Sequence, residues 1–274
     1  MKKIIPLALA FFILVITLAG CARTDNVLRV GMECAYAPYN WTQATDANDA
    51  VPIFDSNEFA FGYDVMIAKH LADHIGYRLE IHRFDWDSLP PALLSGAIDA
   101  VIAGMSITAE RQMTFNFTAP YYFASIVTLV RADSSFAGAT GISGLAGASG
   151  TSQMTTVWYD VCLPQIPSVN ILPPMDSAPA MLVALTSGAV DIVVTDMPTA
   201  MAATMVYPEL KLLDFSGSDD DFLVSDEEIH IGIPVTKENT ELLNKLNEAL
   251  ATLTPADFER MMNDAIRVQP LDAD

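Results

Sequence analysis

Two opposite charges stand at related places in a repeated pattern, and they are the part of this chain whose chemistry most needs a partner. Laying residues 93–105 on residues 185–197 matches Leu93 with Leu185, Ser95-Gly96-Ala97 with Ser187-Gly188-Ala189, Asp99 with Asp191, Val101 with Val193 and Met105 with Met197. Where the first copy has Gly104 the second has Asp196, and Arg111 follows seven residues after Gly104. A guanidinium stays charged at any ordinary pH, and its planar fork meets a carboxylate with two parallel hydrogen bonds. Taken singly, Arg111 is either such an anchor or an ion-paired surface arginine, and the repeat is either one unit used twice or a common helix-to-strand joint. Taken together, a cation from one unit and an anion from the other suit a zwitterion held between two similar lobes.

The surrounding elements give both charges a place. Gly96 stops a helix, and Ala97 to Ala103 is almost continuously apolar, as strands covered on both faces of a parallel sheet are. Gly104, Met105 and Ser106 make the turn, and Thr108 as N-cap puts Arg111 in the first helical turn, at the carboxyl edge where open α/β sheets bind ligands. Val27 to Met32 reads as the first strand, so the loop from Glu33 to Tyr39 faces the same cleft, with Tyr36 as an aromatic wall and Glu33 as a second carboxylate. Tyr39 and Trp41 suit either the cleft or the core. Tyr63 to Ile75 has helical periodicity and ends at Gly76; Tyr77 to Phe84 is a strand that leads into Asp85-Trp86-Asp87, which makes Trp86 a further cleft residue. Thr151 and Ser152 are expected to open a helix that Pro164 ends, their hydroxyls serving as caps or sharing a ligand carboxylate with Arg111. Asp176 or Ser177 caps the next helix, and Ala189 to Thr195 delivers Asp196. A first hinge is expected near Ala124 to Val127 and a return crossing over Glu228 to Val235, followed by helices over 239–253 and 255–266. Residues 42–60 read as an excursion without periodicity, and 216–228 as a solvated acidic loop.

Composition narrows the class. Lys2 and Lys3, the apolar run from Ile4 to Leu18 and Leu18-Ala19-Gly20-Cys21 read as a targeting segment with a lipidation site at Cys21, which places the rest outside the cytoplasm. Without its first 20 residues the chain has 274 less 20, or 254, and its formal charge moves from −20 to −22 with the loss of two lysines. So acidic a surface argues against nucleic acid. Cys34 and Cys162 fall in different predicted lobes, where a disulfide would lock the cleft, so free buried thiols are expected. No metal is expected. Asp46-Ala47-Asn48-Asp49 lacks the later ligand and glycine of a calcium loop, and His70 and His74 have Leu71 where a zinc protease needs glutamate. Gly138 to Gly150 is glycine-rich but carries no lysine for a phosphate loop.

Several motifs in order then resemble one family. Gly31-Met-Glu-Cys-Ala-Tyr-Ala-Pro-Tyr39, Gly62-Tyr-Asp64, Asp85-Trp-Asp-Ser-Leu89, Gly104-Met-Ser-Ile-Thr-Ala-Glu-Arg111, Phe117-Thr-Ala-Pro-Tyr121 and Gly150-Thr-Ser152 resemble the bacterial extracellular solute-binding proteins of family 3, from about Val27 to Pro270. The resemblance implies an α/β type II periplasmic-binding-protein fold: two lobes, each a mainly parallel sheet flanked by helices, joined by two hinge crossings. The expected boundaries are a signal peptide over 1–20, a tether over 21–26, one lobe from 27–125 plus 229–274 and the other from 126–228. By the same resemblance Arg111 binds a ligand α-carboxylate, Asp196 and Ser106 hold its α-ammonium, and Glu33, Tyr36, Trp86, Gly104, Thr151 and Ser152 line the pocket. Glu33 departs from the aspartate of histidine-, lysine- and glutamine-binding relatives, and its longer reach shrinks the space left for a ligand side chain.

The expected function is a lipid-anchored, monomeric receptor that takes a polar or cationic L-α-amino acid to an ABC permease, without a cofactor. An enzyme on the same fold, with Glu33 or Glu110 as acid or base, and a ligand-sensing partner of a signalling protein stay open beside it. No Ser/His/Asp arrangement supports catalysis.

Overall fold

A computed structural model describes residues 26–270. The expected signal peptide, Cys21 and all but the last residue of the tether lie outside the described residues, as do 271–274. The first sheet is built on β1 (Val27–Met32), whose alternate residues Leu28, Val30 and Met32 are wholly buried. The loop beyond it continues into a small antiparallel sheet of β2 (Ala35–Tyr36), β3 (Asn40–Gln43), β4 (Val51–Pro52) and β5 (Phe59–Phe61), so the excursion over 42–60 is a folded part of the lobe. Helix α1 (Tyr63–Ile75) turns Val65, Ala68, Leu71 and Ala72 inward and ends at Gly76, which takes the left-handed conformation expected of it.

Helix α1 carries the chain over to β6 (Arg78–Arg83), which lies parallel to β1 with Val27 opposite Arg78. Helix α2 (Leu89–Leu94) leads to β7 (Ala100–Val101), parallel to β1 on its other side. The regular strand is shorter than the apolar run of 97–103, yet Asp99 N donates to Arg29 O and Ile102 N to Gly31 O, so the run stays bonded to β1. Thr108 caps α3 (Ala109–Thr114) through its hydroxyl, which accepts from Arg111 N, as expected. β8 (Phe115–Phe117), β9 (Tyr122–Phe123) and β10 (Ile126–Arg131) then take the chain to the second sheet.

That sheet gathers β11 (Ser149–Thr151), β12 (Asn170–Ile171), β13 (Ile192–Asp196), β10 and β14 (Leu210–Leu213), in the order β12-β11-β13-β10-β14. The β11 pairs are parallel, and β10 runs antiparallel to both its neighbours. Before β13, α4 (Ala178–Thr186) is capped by Ser177; after it, α5 (Met197–Val206) starts on Asp196. No helix opens at Thr151 and Ser152: Thr151 ends β11, and helical turns begin only at Trp158, with Pro164 inside the last of them. Ser152 O accepts from Met175 N, and this cross-chain bond takes the carbonyl that an opening helix would use.

The repeat has a structural reason. Asp99 accepts from Arg29 N at 2.9 Å and Asp191 from Ser149 N at 2.9 Å, so the matched aspartates each pin the strand beside their own, with Arg29 and Arg131 nearby as counter-charges. The acidic loop over 216–228 is likewise not free: both oxygens of Asp220 accept from Ser143, and Phe222 is buried. After α6 (Asp226–Ile229) the chain returns through β15 (His230–Ile231), antiparallel to β9, and β16 (Pro234–Thr236), antiparallel to β8. The two crossings between the lobes thus run side by side. α7 (Thr240–Leu250) and α8 (Pro255–Val268) pack on α1, and α8 also reaches α5. Cys34 and Cys162 are free and buried, as expected.

A buried carboxylate ties the loops of the first lobe together. The two leading amides of α1 donate to Pro38 O and Tyr39 O instead of to a side-chain cap. Asp64, fully buried in that first turn, accepts from Tyr121 Oη at 2.7 Å and from Asn40 Nδ2 at 2.8 Å. Tyr121 Oη in turn accepts from Gly104 N, and Asn40 Oδ1 from Cys34 N. Between Pro38 and α1, Gly62 has φ 131°, and a Cβ there would stand 2.3 Å from Tyr39 O. Asp64→Ala leaves two buried donors without an acceptor and should destabilise the protein by at least about 3 kcal/mol, measured by urea denaturation. A loss under 1 kcal/mol would show that water replaces the carboxylate.

Candidate functional site

The carboxyl ends of β1 and β7 and the start of α3 form one wall of a cleft, and the segment after β11 forms the other. Glu33, Tyr36, Trp86, Gly104, Ser106 and Arg111 from the first lobe meet Gln153, Thr156 and Trp158 from the second around a space of about 10 Å³. That is room for little more than one water. Gly104 is required where it stands: its φ is 62°, and a Cβ would lie 2.8 Å from the Tyr36 ring. Tyr36 itself stacks on Tyr39 with ring centroids 4.8 Å apart, and Tyr39 meets Tyr63 and Tyr122 edge-on. Tyr39 and Trp41 are therefore core residues, Tyr39 backing the cleft wall through Tyr36 and Trp41 packing edge-on against Phe61.

Four contacts cross the cleft. The Tyr36 hydroxyl donates to Asp196, Gln153 Nε2 donates to Glu33 Oε1 at 2.9 Å, Trp86 Nε1 donates to Thr155 Oγ1 at 2.9 Å, and Arg111 Nη2 donates to Thr155 O at 2.8 Å. Arg111 Nη1 donates to Ser106 O within its own lobe, and the guanidinium lies 5.4 Å from the centre of the Trp86 ring. The half-buried guanidinium thus spans the cleft with donors directed at backbone oxygens. Desolvation draws its pKa down to about 10, with Glu110 and Asp160 pulling the other way, so it stays charged at neutral pH.

The acids are held differently. Asp196 is fully buried at the N-terminus of α5, where it accepts from Thr199 N at 2.9 Å and Thr199 Oγ1 at 3.1 Å as well as from Tyr36. Burial raises its pKa, and the bonds from Tyr36 and Thr199 oppose the shift. Asp196 reaches the cleft through Tyr36 rather than lining it. Glu33 is 6% exposed, and burial pushes its pKa up to about 8, with the Gln153 bond opposing and Asp64 and Asp85 adding to the rise. Its Oε2 is buried without a hydrogen-bond partner.

The structure brings the expected first-lobe residues together, and it seats Thr151 and Ser152 elsewhere. Both are fully buried, with Thr151 Oγ1 donating to Pro173 O at 2.8 Å and Ser152 Oγ to Val194 O at 2.6 Å. Their hydroxyls brace the second sheet because Ser152 stays paired with the chain at Met175 and no helix N-terminus forms there. The cleft side chains of that lobe come one to six residues later, at Gln153, Thr156 and Trp158, with Thr155 supplying both a hydroxyl and a carbonyl. Sequence reasoning missed them because a helix was expected there; Thr155, at φ 52°, marks the turn that replaces it. Glu110 is exposed and does not line the cleft.

Because burial raises Glu33 to about 8 from an ordinary 4.5, and Asp64 to about 6 from 3.8, the folded chain keeps protons that the unfolded chain has released. Stability of the ligand-free protein should therefore fall as pH rises from about 4.5 to 8, by at most about 1.4 kcal/mol per pH unit for each group. Glu33→Gln should flatten the part between pH 6 and 8 in urea titrations; an unchanged slope would mean that Glu33 is not shifted.

Comparison with known proteins agrees with this architecture. The profile of the bacterial extracellular solute-binding proteins, family 3, matches residues 28–261. The "ABC transporter arginine-binding protein 1" of Escherichia coli (strain K12) is 27% identical over 85% of this chain and 87% of its own. The arginine-bound form of truncated ArgBP from T. maritima superposes with a TM-score of 0.68 at 30% identity, covering 84% of this chain and 97% of that one. A Streptococcus pneumoniae amino acid ABC transporter substrate-binding protein bound to L-arginine has the same fold, with a TM-score of 0.76 at 22% identity over 88% of this chain and 94% of that one. With a matched profile spanning both sheets and the cleft between them, the chain belongs to the bacterial extracellular solute-binding proteins, family 3.

Proposed function

We propose that the chain is an extracytoplasmic receptor that closes two lobes around one L-α-amino acid with a cationic side chain and hands it to the permease of an ABC importer. The observation that carries this reading is the disposition of charge: Arg111 on one side of the cleft, Asp196 behind Tyr36 on the other, and Glu33 buried beside them with one oxygen unpartnered. The relatives named for arginine support the cationic side chain.

Binding in this reading is an exchange of hydrogen bonds. The ligand α-carboxylate takes the donors that Arg111 gives to Thr155 O and Ser106 O, and the α-ammonium takes the place of the Tyr36 hydroxyl at Asp196, with Ser106 beside it. Each neutral partner gives way to a charged one, which makes the new bonds the stronger ones. Gly104 keeps the backbone close to the ligand, Tyr36 and Trp86 flank it, and Thr151 and Ser152 act at one remove by bracing the second sheet. The cationic side chain runs outward past Glu33, whose Oε2 is unpartnered. A zwitterion gains both halves of this exchange only when the lobes meet, so it selects the closed form.

The hinge passes between residues 125 and 126 and again between 228 and 229. This assigns 27–125 plus 229–274 to one lobe and 126–228 to the other, a division supported by the paired crossings of β9 and β15. Cys21 carries the lipid that anchors an otherwise monomeric receptor to the cell membrane, and residues 1–20 are its signal peptide. The chain works as a receptor: of the two acids that an enzyme on this fold could use, Glu110 faces solvent and Glu33 is engaged by Gln153.

A thermal-shift screen over the common amino acids should raise the melting point most with arginine or lysine, because a ligand that binds only the folded form stabilises it. Arg111→Ala should weaken binding of the best of them at least about a hundredfold by calorimetry. Undiminished affinity in that variant would overturn the assignment of the site.

A further inference from the structure

Outside Glu33 lies a second hollow of about 370 Å³, walled by Phe84, Trp86 and Met154 and rimmed by Asp85, Asp87 and Asp176. We propose that this hollow is a subsite for the far end of a long cationic side chain, seated between Asp85 and Asp87 of one lobe and Asp176 of the other. The inference rests on the amino-acid reading of the inner cleft and extends it to which cationic amino acids are accepted.

Glu33 and Trp86 line both hollows, so the two spaces adjoin at these residues. The Glu33 side chain is more than nine-tenths buried and its Oε2 has no partner, so a carboxyl oxygen without a hydrogen bond stands where the two spaces adjoin. The hollow has apolar sides for methylene groups and carboxylates at its mouth, the order of groups along an extended cationic side chain. No lysine or arginine lines it, and among the described residues none of its three aspartates is in an ion pair. Apolar walls beside carboxylates suit an organic cation carried on a methylene chain. Asp85, Asp87 and Asp176 are exposed, and the mouth is open to solvent, so a substituent on the terminal nitrogen has room. The class is therefore α-amino acids whose side chains are as long as that of arginine or longer and end in a guanidinium or ammonium, with or without N-alkylation. Short cations stop at Glu33. Because the rim draws on both lobes, a cation seated there also favours closure.

Calorimetric titration of the full chain with arginine, homoarginine, 2,4-diaminobutyrate and glutamine, against Asp87→Asn/Asp176→Asn, tests the subsite. Both positions are exposed and unpaired, so the melting point of the variant should match that of the wild type, and its binding of the short probes serves as the folding control. The expected result is a loss of about five- to tenfold for arginine and homoarginine, less than twofold change for the two short probes, and a weaker dependence of arginine affinity on salt than in the wild type. Equal loss for all four probes, or none for any, would overturn the subsite while leaving the cleft reading intact. A wild-type chain that binds none of the four would overturn the cleft reading and the subsite together.

Discussion

The carboxylate of Asp64 is buried without a cation, and the geometry of the first lobe follows from how it is satisfied. Its two donors come from Asn40 and Tyr121, and these in turn fix Cys34 N and Gly104 N, so the loops after β1 and β7 and the start of the hinge meet at one point. Burial raises its pKa to about 6, so both bonds are needed to keep the carboxylate ionised at neutral pH. A network of this kind specifies one arrangement because any other leaves a buried polar group unpaired. The aromatic stack of Tyr36 on Tyr39, and through it the position of the hydroxyl that meets Asp196, rests on that frame.

Closure of the two lobes is balanced by the same logic. The four contacts across the cleft are polar, and each group in them has another potential partner in a ligand or in water. Across the cleft, Arg111 and Asp196 meet neutral partners, and one oxygen of Glu33 has none. A receptor must not close so well on itself that its ligand cannot compete, since a ligand shifts the equilibrium only by its differential affinity for the two forms. The unpartnered oxygen and the small residual space leave that advantage with the ligand.

The repeat connects these levels. Asp99 and Asp191 do the same structural work in the two lobes, each accepting a backbone amide from the neighbouring strand. What differs is the residue at the strand end. Gly104 lets the backbone come close to Tyr36, whereas Asp196 starts a helix with one oxygen and accepts from the Tyr36 hydroxyl of the cleft wall with the other. One architectural unit thus supplies a space on one side and a charge on the other.

Much of this was legible in the chain itself. The apolar run of 97–103 and its repeat over 189–195 marked β7 and β13, Thr108 and the pair Asp176-Ser177 marked helix starts, Gly76 marked a helix end, and the charges of Arg111, Asp196 and Glu33 marked the cleft, because each rule involved is local in sequence. Tertiary structure decided the rest. Thr151 and Ser152 were read as a helix start, but strand pairing with the chain near Met175 holds them extended, and no local rule reports a partner more than twenty residues away. The same holds for the folding of 42–60 into a small sheet, for Asp220 binding Ser143 and for the cross-cleft pairs of Tyr36 with Asp196 and Gln153 with Glu33. Residue type and spacing determined which groups carry charge and which strand ends present them; only the packing of one lobe against the other determined which of those groups meet, because hydrogen-bond partners distant in sequence are chosen by the fold as a whole.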